Sequence, residues 1–411
     1  MNLFIKNIGQ LVTVAAQGKR VKSGAEMRQL HIVTNASLLI RDGKIAQIGG
    51  EELTAPDDIE VIDAEGCVVL PGFVDAHTHT VFAGSRENEF AMRAEGKSYQ
   101  EIAAAGGGIL STMTATREAT KRDLYRSGER RLNEMMRHGT TTAEIKSGYG
   151  LSPEAEMKML EVINELKRDH YVTVVPTFLG AHAFPPEFKD DHEGYVTRLC
   201  DYMIPYVAEK KLAAAVDIFC EQGYFDLAMT ERVLTAAQKH GLVVKLHADQ
   251  LTASGAVELG VRLKAVSVDH LEKTTDAGIA ALRGSHTIAV ALPGCSLFLN
   301  HPYAPARAII DAGIPLAIAT DFNPGTQMCS SLQMMMTLAC TQMRMTPEEA
   351  LTAVTLNAAA ALGLSHEIGS IEPGKAADVV LYRVKDFRTI AYHYGVNHVW
   401  KVVKNGVLLD F

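Results

Sequence analysis

The chain is 411 residues long, with 47% hydrophobic and 21% charged residues, the composition of a folded protein with a large core and not of a disordered one. Its 40 Lys and Arg against 48 Asp and Glu give a formal charge of −8. That excludes the broad basic surface of a general nucleic-acid binder and leaves room for a small anion held by a few placed arginines. Six cysteines, at 67, 200, 220, 295, 329 and 340, form no CxxC pair and read as buried, reduced thiols. The N-terminus shows no basic region followed by an apolar core and a cleavage site. The apolar stretch from Thr287 to Ala306 is interrupted by Pro293, Gly294 and Pro302, too early for a membrane span. A cytoplasmic protein with no membrane partner is expected.

Residues 1–66 predict short strands and turns. Asp42-Gly43, between Leu38–Ile40 and Ile45–Ile48, predicts a tight hairpin, because that pair tolerates positive φ. Eight apolar runs then alternate with helical patterns: Val68–Val74, Thr141–Ile145, Val172–Phe178, Val216–Cys220, Val243–Leu246, Ala265–Val268, Thr287–Leu292 and Pro315–Ala319. Helical spacing marks Glu154–Lys167, Thr230–His240 and Thr275–Leu282 between them. Parallel strands buried on both faces read as continuous apolar runs, and eight of them alternating with helices is the count of a (β/α)8 barrel. The basic run from Lys121 to Arg131, interleaved with acids, predicts a solvated helix face. Met328 to Met343 predicts a core helix beyond the barrel. Gly106-Gly107-Gly108 has no following Lys-Ser or Lys-Thr, so it predicts a flexible loop near the mouth and not a phosphate site. The C-terminus returns to strands at Ala377–Tyr382 and His398–Lys404, with Asn405-Gly406 as a second hairpin turn before Val407–Leu409. The expected fold is α/β: a TIM-like barrel over 67–366, with a small β-sandwich domain composed of 1–66 and 367–411.

In such barrels the C-terminal strand ends carry the chemistry. The run ends hold Asp75-Ala76-His77-Thr78-His79, Glu144-Ile145-Lys146, Gly180-Ala181-His182, Glu221-Gln222, His247-Ala248-Asp249-Gln250, Asp269-His270 and Thr320-Asp321-Phe322-Asn323. His77 and His79 alternate on one strand and so point the same way. With His247, His270 and Asp321 on other strand ends they make a metal-ligand set. Imidazoles with one carboxylate suit zinc, and iron, nickel, cobalt or manganese by softness and geometry. Asp249 and Asp269 read as partners that orient neighbouring side chains.

Pro71-Gly72-Phe73-Val74-Asp75-Ala76-His77-Thr78-His79 resembles the signature of the amidohydrolase superfamily, and Ile371-Glu372-Pro373-Gly374-Lys375-Ala376-Ala377-Asp378 resembles its C-terminal return. More narrowly, the sequence is similar to the imidazolonepropionases of histidine degradation. The stretches that carry this are His79–Arg86, Lys146–Leu151, Thr177–His182 and Thr320–Thr326. The resemblance spans essentially the whole chain. It implies hydrolysis of a cyclic amide C–N bond, that of 4-imidazolone-5-propanoate. It also implies one metal per chain, zinc or iron, held by His77, His79, His247 and Asp321.

Asp321 would accept the water proton and pass it to the leaving nitrogen, and the metal or His270 would polarise the carbonyl. Some relatives carry Glu where this chain has Gln250, and a neutral amide is no base. Gln250 is therefore assigned to hydrogen bonds with the substrate ring. Taken alone, Arg86 reads as a surface partner of Glu87 or Glu89; the resemblance turns it into the clamp on the propanoate tail, seconded by Tyr149. His182, Asn323, Gly325 and Thr326 would surround ring and product. Related enzymes bridge two metals with a carbamylated lysine, usually on the fourth strand, where this chain shows Glu221. A single metal follows. Two other functions compete: a related deaminase of a heterocyclic base, against which the Arg86–Tyr149 pair argues, and a catalytically silent scaffold, against which the complete ligand set argues. The resemblance further implies a homodimer.

Overall fold

A computed structural model of the chain describes residues 2–97, 101 and 107–409. The strands are β1 (Leu3–Val12), β2 (Ile32–Arg41), β3 (Lys44–Gly49), β4 (Glu60–Asp63), β5 (Val68–Pro71), β6 (Phe73–Asp75), β7 (Thr140–Lys146), β8 (Thr173–Ala181), β9 (Ala215–Cys220), β10 (Val243–Ala248), β11 (Ser267–His270), β12 (Ile288–Ala291), β13 (Leu316–Ile318), β14 (Val379–Tyr382), β15 (Val399–Lys404) and β16 (Val407–Leu409). Strands β6 to β13 form one parallel sheet in sequence order. Nearly every residue in it is buried, as helices on one side and the barrel interior on the other require. All eight predicted runs are found as strands.

The seam between β13 and β6 closes just beyond the strand ends, at the C-terminal mouth. There the Asp321 amide donates to the His77 carbonyl at 3.0 Å and the His79 amide to the Phe322 carbonyl at 2.8 Å. Side chains reinforce it. The buried Asp75 carboxylate accepts from the Thr320 amide (3.0 Å) and hydroxyl (2.6 Å). The bonds that complete the barrel thus also bring three expected metal ligands to one place.

Connecting helices begin where polar caps predict them. Ser152, with Pro153 behind it, caps Pro153–Asp169, Asp226 caps Leu227–Lys239 and Thr275 caps Asp276–Leu282. The helix from Lys121 to Arg137 is not wholly solvated. Arg131 is buried, donates to the carbonyls of Thr80 (2.8 Å) and Phe82 (2.9 Å), and lies 3.5 Å from the Phe82 ring centre. A guanidinium has enough donors to satisfy a buried loop, which is why one basic residue of a charged run turned inward. The helix Leu332–Gln342 buries Met335 and Met336, whereas Met328 is exposed. Cys329 and Cys340 are only partly buried; the other four cysteines are buried, and all are free. Of the three predicted loop glycines, Gly106 lies outside the described residues.

The terminal segments build one mixed sheet in the order β16-β15-β14-β5-β1-β2-β3, with β4 beside β1. It is continuous, where two stacked sheets were expected, but it curls over its own core of Ile5, Leu38, Ile40, Val69, Leu381 and Val403. The hairpin turns at Asp42-Gly43 and Asn405-Gly406 both have positive φ, and they touch where the curled ends meet. The run 68–74 is two strands, not one: β5 belongs to this sheet and β6 to the barrel. Gly72 makes the break. A Cβ there would lie 2.2 Å from Thr141 Oγ1 and 2.4 Å from its methyl group. Among the described residues no helix is long and apolar enough to cross a membrane.

Gly72→Ala should destabilise the fold by about 1–3 kcal/mol through overpacking against Thr141. A melting temperature equal to that of the parent protein would refute this contact as the reason for glycine.

Candidate active site

The strand ends converge on a nest of imidazoles. The His77 ring lies 4.5 Å from that of His247, 5.3 Å from His79 and 5.6 Å from His270, centre to centre. Asp321 Oδ1 stands 3.5 Å from His77 Nε2 and 3.6 Å from His79 Nε2. Three overlapping trios place one donor atom each within 4.8 Å of one another: His77, His79 and Asp321; His77, His247 and His270; His79, His182 and His247. Backbone φ is positive at His270 (84°) and Asp321 (54°). Such conformations cost about 1–3 kcal/mol in a non-glycine residue and persist where the surroundings fix them.

Carboxylates orient two of these histidines from behind. His77 Nδ1 is 2.6 Å from Asp269 Oδ2, and His247 Nδ1 is 3.1 Å from Asp217 Oδ1. A carboxylate there accepts a hydrogen bond from Nδ1–H and so leaves the Nε2 lone pair facing the centre. The Nε2 atoms of His77 and His247 are buried and have no hydrogen-bond partner. Buried polar atoms are ordinarily paired. Two that are not, aimed at a carboxylate-containing cluster, fit a metal ion. Burial and mutual repulsion hold His77 and His79 well below the ordinary histidine range, hence neutral as ligands must be.

Beneath the imidazoles lies a layer of fully buried charge. Lys146 Nζ is 2.6 Å from Asp217, 2.8 Å from Glu144 and 3.7 Å from Asp269. Lys245 Nζ is 2.9 Å from Glu144 and 3.9 Å from Asp269. Burial opposes ionisation of Glu144, yet Lys146 and Lys245 hold its carboxyl below the usual range. Lys146 stays protonated despite its burial because three carboxylates face it. Sequence reasoning found Asp269 as an orienting group but missed Asp217, Glu144 and Lys245. Their signal was present: a charged residue inside an otherwise apolar strand run.

The remaining expected residues ring the pocket. His182 stacks on His79 at 5.1 Å and 17°, with its Nδ1 3.0 Å from the Gly148 carbonyl. The buried Tyr149 ring is 5.8 Å from His79 and 5.3 Å from His182. Its loop is held by Glu156, which accepts from the amides of Gly148, Gly150 and Leu151 and was not foreseen. Gln250 Nε2 is 3.5 Å from Cys295 Sγ. Arg86 does pair with Glu89, at 2.9 and 3.0 Å, but inside the protein: the two side chains are 9% and 8% exposed. Its remaining Nη1 lies against Gly325, where a Cβ would sit 2.2 Å away. The side chain of Asn323 is taken up by its own turn, donating to the Asp321 carbonyl and Thr326 Oγ1 (each 2.7 Å) and accepting from the amides of Gly325 and Thr326 (each 2.8 Å). It shapes the loop behind Asp321. Glu221 likewise anchors a loop, accepting from the Leu251 and Thr252 amides.

An eight-stranded parallel barrel with four histidines and an aspartate gathered at its C-terminal mouth defines a metal-dependent hydrolase. Residues 68–409 match the model of the amidohydrolase family. The chain is 49% identical to an imidazolonepropionase of Geobacillus sp. strain WCH70, covering 98% of this chain and 97% of that protein. It is 45% identical to one of Christiangramia forsetii over the full length of both. Solved structures with the same fold include an adenosine deaminase from Xanthomonas campestris with bound zinc (TM-score 0.71, 20% identity, 99% and 92% coverage). A 5-methylcytosine deaminase from Klebsiella pneumoniae shares it too (TM-score 0.75, 15% identity, 99% and 97% coverage). The chain belongs to the amidohydrolase family and, within it, to the imidazolonepropionases.

Asp269→Asn should weaken metal retention by about 10–100-fold, because the amide no longer fixes the His77 tautomer. Chelator competition measures it; unchanged retention would sever the Asp269–His77 pair from metal binding.

Proposed function

We propose that this protein hydrolyses the ring amide of 4-imidazolone-5-propanoate to N-formimidoyl-L-glutamate. One observation carries the reading. The buried phenol of Tyr149 lies 5.8 Å from the His79 ring, and the buried Arg86 guanidinium lies against Gly325 in the loop after Asp321, a set that suits a heterocycle with a carboxylate tail.

His77, His79, His247 and Asp321 would hold one zinc or iron ion per chain, which would supply Lewis acidity and bring the pKa of water toward about 7. The chain's own groups do the rest. Burial pushes the Asp321 carboxyl up to about 6, with His270 and His247 opposing the shift. A carboxylate poised there takes a proton from the attacking water and returns it to the ring nitrogen as the C–N bond breaks. Burial disfavours charge on His270, but Glu272, 3.5 Å from its Nδ1, carries it well above the ordinary range. A protonated imidazole so placed donates to the oxygen that gains charge when water adds to the carbonyl carbon. Gln250 donates to the substrate ring. Glu89 engages Arg86 through Nε and Nη2 and fixes its plane, so that the guanidinium meets the propanoate preorganised, with the Tyr149 hydroxyl beside it. His182, Gly325 and Thr326 line the ring and product, and Asn323 holds the last two in position. The net charge of −8 accords with a small-molecule substrate and no nucleic-acid partner. We place the protein in the cytoplasm, as a homodimer.

The test is a coupled assay. The unstable substrate is generated from urocanate with urocanase and its decay followed spectrally, with metal content quantified before and after chelation. Faster decay that vanishes with the metal, at one metal per chain, is expected. A metal-loaded protein that accelerates nothing refutes the reaction, and ammonia release from heterocyclic bases then becomes the measurement to make. Arg86→Lys should chiefly raise KM, because an ammonium cannot match the bidentate geometry. An unchanged KM would put the carboxylate elsewhere.

A further inference from the structure

The proposed reaction leaves one buried soft donor beside the centre unused. Cys295 lies in the helix Pro293–Leu299, which follows β12, and is 1% exposed. A nitrogen of His270, Cys295 Sγ and an oxygen of Asp321 all fall within 4.8 Å of one another. Two further buried atoms next to them have no hydrogen-bond partner, His270 Nδ1 and Glu272 Oε2. His270 and Glu272 are 2% and 7% exposed.

Imidazole nitrogen, sulfur and carboxylate oxygen together are a donor set for tetrahedral zinc and for its softer congener cadmium; magnesium and calcium avoid sulfur. We propose that His270, Cys295 and Asp321 form a second, inhibitory site for a soft divalent cation, with Asp321 bridging it to the first centre. When the ion binds, the thiol proton and the proton on the coordinating His270 nitrogen both leave to solvent. Cys295 is buried among these groups, so only an ion with high affinity for thiolate displaces the thiol proton. Occupation takes up both groups assigned to the proton work, and turnover stops. The binding itself requires neither substrate nor turnover, so it stands or falls apart from the proposed reaction.

The experiment starts from protein carrying one metal per chain and adds cadmium. Equilibrium dialysis counts bound ions, and the ultraviolet sulfur-to-cadmium charge-transfer absorption reports the thiolate. The wild type should take up one further equivalent with that absorption. Cys295→Ser should keep the first metal and the melting temperature, lose the absorption, and bind the further equivalent at least about tenfold more weakly. Serine at the two partly buried cysteines, Cys329 and Cys340, should change neither readout. Absorption surviving in Cys295→Ser, or a wild type that takes up no second equivalent, overturns the site. If Cys295→Ser does not fold, alkylation of the wild type decides: bound cadmium should slow labelling of Cys295, read by peptide mass, and no protection overturns the proposal.

Discussion

Five buried charges under the barrel mouth set the terms for everything above them. Lys146 and Lys245 face Glu144, Asp217 and Asp269, and none of the five is more than 1% exposed. Bringing such groups out of water costs several kcal/mol each, and only near-complete pairing offsets it. The pairing here is near-complete, yet three carboxylates against two ammonium groups leave the layer one negative charge in excess. That excess sits directly below His77, which burial holds neutral and which cannot offset it. A cation above the histidines completes the balance. The layer therefore does two things at once: it fixes the ring orientation of His77 and His247, and it biases the space between them toward positive charge.

The same layer explains what was readable in the sequence. The barrel strands were legible because burial on both faces makes them continuous apolar runs. His77 and His79 were legible because a strand's period of two sends both to one side, and Asp321 because it follows the eighth run. The ion layer was not. Glu144 and Lys146 read as strand-end residues without a role, and Asp217 on β9 and Lys245 on β10 look like isolated exceptions. Their meaning depends on which strands lie beside which: Asp217 reaches His247 one strand away, whereas Asp269 reaches His77 across the barrel interior. Separations of 30 and 192 residues cannot be paired from spacing alone. Gly72 was invisible for a related reason. An apolar run crossing from one sheet to another looks the same as a run within one sheet, and only the Thr141 side chain opposite shows why the Cβ is missing.

Buried carboxylates recur as loop anchors around the pocket. Asp75 ties the seam, Glu156 gathers three amides beneath Tyr149, Glu221 holds the loop after β10, and Glu89 accepts both Arg86 and the Gly108 amide. Glycine-rich loops have little side-chain packing of their own, so their conformation has to be imposed from outside. A carboxylate with several acceptor positions does this with one side chain, provided it is shielded from water. The loops of this pocket are preorganised in that way even where their own sequences are flexible.

Gln250 then sharpens the division of labour. An acidic residue at that position would bring a second base to the substrate ring. The amide brings none, and its Nε2 faces Cys295, whose thiol is itself protonated. In the proposed reaction the groups that exchange protons with the heterocycle are Asp321, held near 6, and His270, whose charge is sustained by Glu272. One is short of a proton at neutral pH and the other carries one. That is the pairing that ring hydrolysis needs, since water must lose a proton while the carbonyl oxygen gains a donor. His270 is the last residue of β11 and Asp321 lies three residues past the end of β13, both with positive φ. In the proposed reaction the barrel thus presents acid and base from two strand ends, and the amide at position 250 keeps the two roles from being duplicated.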